Sequence, residues 1–356
     1  MNAPHTSTDN PHWTIPNFSL QRWRDGGPST AAADELMAMC HGVGFFTITD
    51  HGVPADFIEH YFQLLERFFA LPESTKAFID KRRSPHFRGW ERVGAELTNG
   101  QVDFREQIDL STENATYAST AEPAYLRLDG PNQWLPEEAL PGFHAAVDEW
   151  LRRMGELAWE LMEIMSVGLG LPQHGLRDAF GERPLSLTKL IRYPRTPDGG
   201  AGVNAHKDAG FLTFVVQHGV GGLQAMAPDG EWIDVDPPQG AFVVNVGEML
   251  QAMTGNYFVA ATHRVIATEE RYSAAYFHGP DLRTEIRRLP LPTRFLDAVA
   301  ASPRHRDAGF MAKRTEILDG DAGIASEVAP VFGEMLWNYY VRSYPDVVEE
   351  HFPGTV

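Results

Sequence analysis

Two stretches of the chain place apolar residues at the three-to-four-residue spacing of a helix that buries one face. The first follows Pro54 and runs to Phe69, and the second starts at Pro141 and runs to about Leu169. We therefore predict two amphipathic helices, the longer of which packs on the outside of a sheet. Shorter helices are predicted at residues 30–41, 73–80 and 332–342.

From Leu185 onwards the period changes to two, as in strands with one buried face. Turns rich in glycine and proline separate the runs, and Pro228-Asp229-Gly230 is typical of a hairpin. Many short strands favour a closed double sheet, for which a jelly roll is a solution. Strands are predicted at residues 13–18, 43–49, 185–194, 211–218, 222–226, 231–236, 241–246, 261–268 and 271–278, whereas residues 84–135 and 282–330 are predicted to be mostly irregular.

Composition limits the class of partner. The 356 residues carry 30 basic and 48 acidic side chains, which gives a formal net charge of −18. Nucleic acids and anionic membrane surfaces both reward clustered Lys and Arg, so we expect neither as a partner. The charge does not restrict a small substrate, because one pocket can be basic inside an acidic shell.

The single cysteine, Cys40, excludes an intrachain disulfide. We also find no secretory signal and no apolar run of membrane-spanning length. These features predict a cytoplasmic protein in a reducing compartment.

A metal site is predicted at His206, Asp208 and His263. His206 and Asp208 are separated by one residue at the end of a strand, so their side chains point the same way. His263 lies in a predicted strand that is distant in sequence and can be adjacent in space. Two imidazoles and one carboxylate are the ligand set of mononuclear non-haem Fe(II) centres, which leave coordination positions open for O₂.

A carboxylate clamp is predicted just after this site. Arg271 and Ser273 share one strand face by the same period of two. A guanidinium fork and a hydroxyl suit a carboxylate, such as the distal one of 2-oxoglutarate when its keto-acid end chelates iron.

The ordered set His-x-Asp, His-Arg-Val and Arg-x-Ser resembles the iron(II)/2-oxoglutarate oxygenases of the isopenicillin N synthase-like family. The resemblance covers roughly residues 13–350. Further segments that resemble the family are His41-Gly42-Val43-Gly44-Phe45-Phe46, Asp50-His51-Gly52-Val53-Pro54, Gly94-Ala95-Glu96, Asp103-Phe104-Arg105-Glu106, Gly130-Pro131-Asn132-Gln133-Trp134 and Leu190-Ile191-Arg192-Tyr193-Pro194.

The resemblance implies a fold and an activity. The fold is mainly β with surrounding α-helices: a double-stranded β-helix (jelly roll) core, a helical N-terminal region and a C-terminal helix. We expect an N-terminal non-haem dioxygenase region at 13–135, the jelly-roll domain at 185–283, and a C-terminal loop and helix at 284–356 that complete the same globule. The implied activity uses Fe(II), 2-oxoglutarate and O₂ to oxidise, by default to hydroxylate, a C–H bond, with release of succinate and CO₂.

Alternation along the strand before the metal site places Lys189 and Tyr193 on one face, and Tyr193 resembles a pocket-facing tyrosine of the family. A buried lysine needs an anion, so we expect Lys189 to bind a carboxylate of 2-oxoglutarate or of the substrate. A resemblance to bacterial ethylene-forming enzymes favours a polar substrate, for which an amino acid is one candidate. The predicted substrate contacts are Glu96, Thr98, Arg105, Phe277, Arg342 and Tyr344.

Two other functions stay open on the sequence alone. One is an Fe(II) oxidase without 2-oxoglutarate, as in isopenicillin N synthase, in which the clamp holds the substrate. The other is a non-catalytic metal-binding barrel. The protein is expected to be a monomer or a weak homo-oligomer that acts on a small molecule.

Overall fold

The computed structural model describes residues 13–27, 30–98, 100–114, 120–196, 200–306, 308 and 330–354. Part of the predicted 282–330 loop and of the predicted 284–356 region therefore lies outside the described residues. The helices that it describes are α1 (Leu20–Gly26), α2 (Thr30–Gly42), α3 (Ala55–Ala70), α4 (Glu73–Lys76), α5 (Phe143–Gly168), α6 (Gly175–Asp178), α7 (Glu248–Met253), α8 (Thr293–Ala301), α9 (Pro303–Arg306), α10 (Phe332–Ser343) and α11 (Pro345–His351).

The strands form two large sheets and one small hairpin. The eight-stranded sheet has the order β1-β2-β12-β9-β14-β7-β6-β3, the four-stranded sheet the order β11-β10-β13-β8, and β4 pairs with β5. The strands are β1 (Asn17–Ser19), β2 (Phe45–Thr49), β3 (Gly89–Glu91), β4 (Leu97–Thr98), β5 (Gln101–Val102), β6 (Glu106–Ser111), β7 (Leu187–Tyr193), β8 (Ala201–His206), β9 (Leu212–His218), β10 (Leu223–Met226), β11 (Trp232–Asp234), β12 (Phe242–Val246), β13 (His263–Ile266) and β14 (Arg271–His278).

The two large sheets face each other and enclose an apolar core. Ile191 and Val243 of the eight-stranded sheet pack in one buried cluster with Val203, Leu223 and Val265 of the four-stranded sheet. The neighbouring Leu190 points the other way, into the core under the helices. This alternation between two buried faces confirms the predicted jelly roll.

The long helix α5 packs on the outer face of the eight-stranded sheet, as predicted. Trp150 of α5 is fully buried, and its Nε1 donates to Thr188 Oγ1 of β7 at 2.9 Å. Trp150 also stacks on Tyr61 of α3, with ring centroids 5.0 Å apart. Helices α3 and α5 therefore form the scaffold behind the strands that carry the site. No described helix combines the length and the apolar character that a membrane crossing requires.

Several elements were not predicted. β6 lies in the stretch 84–135 that was predicted to be irregular, yet all its residues are buried. For β8 only the strand end at His206 was predicted, because the rest of the strand contains a glycine, an asparagine and two alanines and shows little apolar alternation. α11 was missed because Pro345 was interpreted as a helix end, whereas here it occupies the first turn of a new helix, a position that proline tolerates. α1 and α8 were missed as well.

Candidate active site

His206, Asp208 and His263 lie together between the two sheets. β8 ends at His206, its antiparallel partner β13 begins at His263, and these two residues are directly paired. His206 Nε2 lies 3.6 Å and His263 Nε2 lies 3.7 Å from Asp208 Oδ1. The three ligand atoms are within 4.8 Å of one another, a spacing that suits one shared ion.

Hydrogen bonds outside this triad orient its ligand atoms. His206 Nδ1 donates to the Asn204 carbonyl at 2.8 Å, and His263 Nδ1 donates to the Ala261 carbonyl at 3.2 Å. Because a carbonyl can only accept, both Nε2 atoms keep their lone pairs for an ion. Asn245 of β12 donates a hydrogen bond to Asp208 Oδ2 at 2.7 Å, so that Oδ1 is the oxygen that faces the two imidazoles.

The electrostatics of Asp208 and His263 suit a divalent cation, whereas at His206 burial opposes protonation but the neighbouring Asp208 raises the pKa. Burial opposes ionisation of Asp208, but nearby His263 and His206 and the Asn245 hydrogen bond hold its pKa well below the usual value. Burial, with His206 adding to it, lowers the pKa of His263 to about 4. An ionised carboxylate and a neutral imidazole are the forms that bind a metal.

Arg271 is a buried cation whose described partners are all neutral. Its side chain lies on the inner face of β14; Nη1 donates to Ser273 Oγ at 3.2 Å, and Nη2 donates to Gln217 Oε1 at 2.9 Å. The guanidinium sits over the Tyr193 ring at 4.8 Å, and its Nε has no partner among the described residues. Burial lowers the pKa of Arg271, and no carboxylate in the described part of the chain pairs with it. The site therefore fits an anionic ligand.

Lys189 is buried on the same face of β7 as Tyr193, as the alternation predicts. Its Nζ lies 3.0 Å from Asp109 Oδ2 and 3.3 Å from each Glu96 carboxylate oxygen, and it donates to Tyr344 Oη at 2.9 Å. The protein supplies carboxylates of its own to this lysine, so burial alone does not require a ligand carboxylate, and contact of Lys189 with a ligand stays a prediction. Tyr344, predicted as a substrate contact, is a buried partner of this lysine instead.

Glu96, another predicted substrate contact, is fully engaged by the protein. It accepts hydrogen bonds from Arg105 Nη2 at 2.6 Å, Gln107 Nε2 at 2.6 Å and Tyr339 Oη at 2.8 Å. Burial opposes its ionisation, but Arg105 and Lys189 hold the pKa of Glu96 well below its ordinary value. Glu96 thus organises the neighbouring cations, and the structure corrects its interpretation as a substrate contact.

A cavity of about 460 Å³ opens beside the triad, with His206 and Asp208 in its wall. The hairpin of β4 and β5 and helix α10 form parts of the wall. Four predicted substrate contacts line the same space: Thr98, Arg105, Phe277 and Arg342.

Sequence patterns assigned no role to three residues that matter here. Asn245 had a signal, since it interrupts an otherwise apolar strand, and such a buried amide needs partners. Gln217, which accepts a hydrogen bond from Arg271, lies at the polar end of β9, and no sequence signal singled it out. Arg88, a fully buried arginine in the cavity wall, lies in the stretch predicted to be irregular.

Comparisons with known proteins agree with this geometry. The model of the 2OG-Fe(II) oxygenase superfamily matches residues 184–280, and a model described as non-haem dioxygenase in morphine synthesis N-terminal matches residues 15–137. A 2-oxoglutarate-dependent dioxygenase, frbJ, of Dothideomycetidae sp. (strain 11243) is 31% identical over 289 residues, which cover 78% of this chain and 77% of that protein.

Solved structures share the fold. A Neurospora crassa protein in complex with alpha-KG and thymine aligns with a TM-score of 0.68 at 24% identity, over 79% of this chain and 90% of that one. A rice dioxygenase for auxin oxidation aligns with a TM-score of 0.60 at 27% identity, over 78% of this chain and 87% of that one.

Proposed function

The chain belongs to the 2OG-Fe(II) oxygenase superfamily, and from this premise we propose that His206, Asp208 and His263 hold Fe(II) while Arg271 and Ser273 hold the distal carboxylate of 2-oxoglutarate. The protein is an Fe(II)- and 2-oxoglutarate-dependent dioxygenase that oxidises a C–H bond of a small molecule and releases succinate and CO₂. Hydroxylation is the outcome that we propose for this chain.

The single observation that carries the clamp assignment is the uncompensated charge of Arg271. A buried guanidinium whose described partners are a hydroxyl, an amide and an aromatic ring gains from an anion in contact with it. Ser273 and Gln217 fix the position of the guanidinium, and Tyr193 covers one of its faces. A carboxylate can accept two parallel N–H bonds from such a fork.

The residues around the iron site would position and shield the reaction. Bound iron, with 2-oxoglutarate and O₂, supplies the oxidising chemistry that the side chains lack. Asn204 and Asn245 hold His206 and Asp208 in the orientation that presents Nε2 and Oδ1. Phe45, whose ring lies 5.3 Å from that of His263, contributes apolar surface that excludes water from one side.

The substrate that we propose is small and anionic. The relatives described above include proteins whose names mention thymine and auxin, both small molecules. An amino acid as the substrate loses support, because two of the predicted substrate contacts, Glu96 and Tyr344, bind Lys189. The cavity wall carries two acidic side chains, Asp208 and Glu248, and five basic ones, Arg88, Arg105, Lys189, Lys207 and Arg342.

Two further expectations stay proposals: a cytoplasmic location, and a monomeric or weakly associated state. The oxidase without 2-oxoglutarate is not favoured, since two similar relatives that cover most of this chain are named 2-oxoglutarate-dependent dioxygenases.

The test of the proposed function is a balance of 2-oxoglutarate, O₂ and succinate in the purified protein with Fe(II) and ascorbate. We expect one succinate for each 2-oxoglutarate consumed, even in slow turnover without substrate. Asp208→Ala should abolish this turnover, whereas Asp229→Ala, at an exposed hairpin position, should not. Oxygen uptake without succinate would instead support the oxidase.

A further inference from the structure

We propose that Arg88 is a specificity-determining residue that binds the carboxylate of the substrate, so that the enzyme acts on a carboxylic acid with an apolar body. This inference rests on the proposed function, since it names the substrate class of the same cavity. It begins from Arg88, whose side chain is 1% exposed and lies in the cavity wall.

Protein groups fix the guanidinium of Arg88 without neutralising it. Nε donates to Ser111 Oγ at 2.8 Å, Nη1 to the His86 carbonyl at 2.7 Å, and Nη2 to the Leu128 carbonyl at 2.7 Å. An arginine has five N–H donors, so one N–H on each terminal nitrogen remains for a ligand. All three partners are uncharged, and the geometry is held before any ligand arrives.

The charge of Arg88 has no carboxylate paired with it among the residues that the structure describes. Arg88 acts electrostatically on Asp129, but Asp129 Oδ2 is paired with Arg183 at 2.7 Å. Burial raises the pKa of Asp129, and the cations Arg183 and Arg88 oppose that rise. The direct partner of Asp129 is therefore Arg183, and no described carboxylate forms an ion pair with Arg88.

The other buried cations of the wall differ from Arg88 in this respect. Arg105 is paired with Glu96 at 2.6 Å and with Asp103 at 3.0 Å. Lys189 is paired with Asp109 at 3.0 Å and with Glu96 at 3.3 Å. An incoming anion gains less from cations that already have partners than from Arg88.

The register of the eight-stranded sheet relates Arg88 to the iron ligands. Asn245, which holds Asp208, pairs with Thr213, and Thr213 pairs with Phe277. The same inward-facing row continues from Phe277 through Leu187 to Ser111, whose Oγ accepts the hydrogen bond from Arg88. Four strand spacings separate Asn245 from Ser111, which is about 19 Å along the curved sheet.

The wall between these two ends is apolar. The side chains that line it include Leu97, Leu128, Leu185, Leu187, Phe277 and Phe332. A ligand that reaches from Arg88 toward the iron must therefore present its anion at one end and an apolar body along its length. The C–H bond that is oxidised should lie several bonds away from the carboxylate.

The experiment compares 4-phenylbutanoate with 4-phenylbutanamide, which differ chiefly in charge. Binding of each is measured calorimetrically without O₂ on the protein loaded with Fe(II) and 2-oxoglutarate, and kcat/KM is then measured from succinate release above the substrate-free rate. In the wild type we expect the acid to bind at least about tenfold more tightly than the amide, since a buried ion pair contributes that much or more.

The variants separate anion binding from a structural role. Arg88→Gln should reduce the ratio of acid to amide affinity to about one and leave amide affinity unchanged, and Arg88→Lys should keep part of the preference. Arg83→Gln, at an exposed arginine nearby, is the matched control and should keep the wild-type ratio. Unfolding midpoints of all variants show whether Arg88 also supports the fold, a role that changes both affinities together.

Two results overturn the proposal. One is a wild type that binds both probes equally or binds neither, and the other is an Arg88→Gln protein that is folded and keeps the preference for the acid. Failure of the proposed function is distinct from these results, because it appears as the absence of any Fe(II)- and 2-oxoglutarate-dependent succinate release from the wild type.

Discussion

Each iron ligand of the proposed site depends on a neighbour that the sequence motif does not contain. His206 is oriented by the Asn204 carbonyl, and Asp208 is oriented by Asn245 of a strand from the middle of the sheet. The His-x-Asp spacing is therefore necessary for the site, but its geometry is completed by residues that only the fold brings near.

The role of Asn245 is tested by Asn245→Leu, which has a similar shape but no N–H to donate. Asp208 should lose its orientation, and Fe(II) affinity should fall by about 10- to 100-fold, as is typical when the outer partner of a ligand is removed. Equilibrium dialysis against Fe(II) without O₂ measures this. An unchanged affinity in a folded variant would show that Asp208 does not need this bond.

For Lys189 the structure predicts a role in stability, whereas the sequence alone predicted contact with a ligand. Lys189→Met leaves Glu96 and Asp109 with less positive charge nearby in a buried setting. Removing one partner of such a network should lower the free energy of unfolding by about 3–5 kcal/mol. Denaturant titration checks this, with Arg67→Met, at an exposed position of α3, as the control. A loss of 2-oxoglutarate affinity without a loss of stability would restore a ligand-binding role for Lys189.

At the scale of elements, strand pairing decides which residues meet. β8 and β13 place His206 beside His263. β7 and β14 place Tyr193 beside Arg271, and β14 and β9 place Ser273 beside Gln217. The proposed clamp thus draws on three neighbouring strands, and a disturbance in a strand facing them should reach it.

Gly202 of β8 allows such a disturbance to be made. A Cβ at this position would lie 2.6 Å from Cδ1 of the Tyr193 ring, so Gly202→Ala must displace the ring that lies under Arg271. We expect 2-oxoglutarate affinity to fall several-fold although residue 202 does not contact it, and we expect Fe(II) binding to persist. Calorimetric titration with 2-oxoglutarate measures this, and Gly200→Ala, where a Cβ meets open space, is the control. Equal affinities in the two variants would contradict the coupling.

The elements that were predicted carry a long or repeated apolar period, whereas a short element in an irregular stretch is easily overlooked. α5 could be predicted because one face of this long helix is apolar. β6 was missed although Gln107-Ile108-Asp109-Leu110-Ser111 alternates polar and apolar residues, because this short run lies in a stretch that was interpreted as irregular. Alternation indicates a strand with one exposed face, so it does not predict that the polar residues Gln107 and Asp109 are buried with the charges around Lys189 and Glu96.

At the scale of the whole molecule, the net charge of the chain and the balance of charged side chains in the cavity wall have opposite signs. The formal net charge is −18, yet basic side chains outnumber acidic ones in the wall of the cavity. The grouping of His206, Asp208 and His263, and that of Arg271 with Ser273, could be predicted because the proposed chemistry needs fixed residue types at fixed strand positions. The partners of Glu96, Lys189 and Arg88 could not, because they come from segments far apart in sequence.

The most direct measurement is the affinity of the Fe(II)-loaded protein for 2-oxoglutarate, without O₂, in the wild type and in Arg271→Gln. A neutral amide cannot form the paired, charged contact, so binding should weaken by about 2–5 kcal/mol while Fe(II) affinity is unchanged. Arg287→Gln, at an exposed arginine, is the control and should bind as the wild type does. Wild-type affinity for 2-oxoglutarate in a folded Arg271→Gln protein would contradict the site described here.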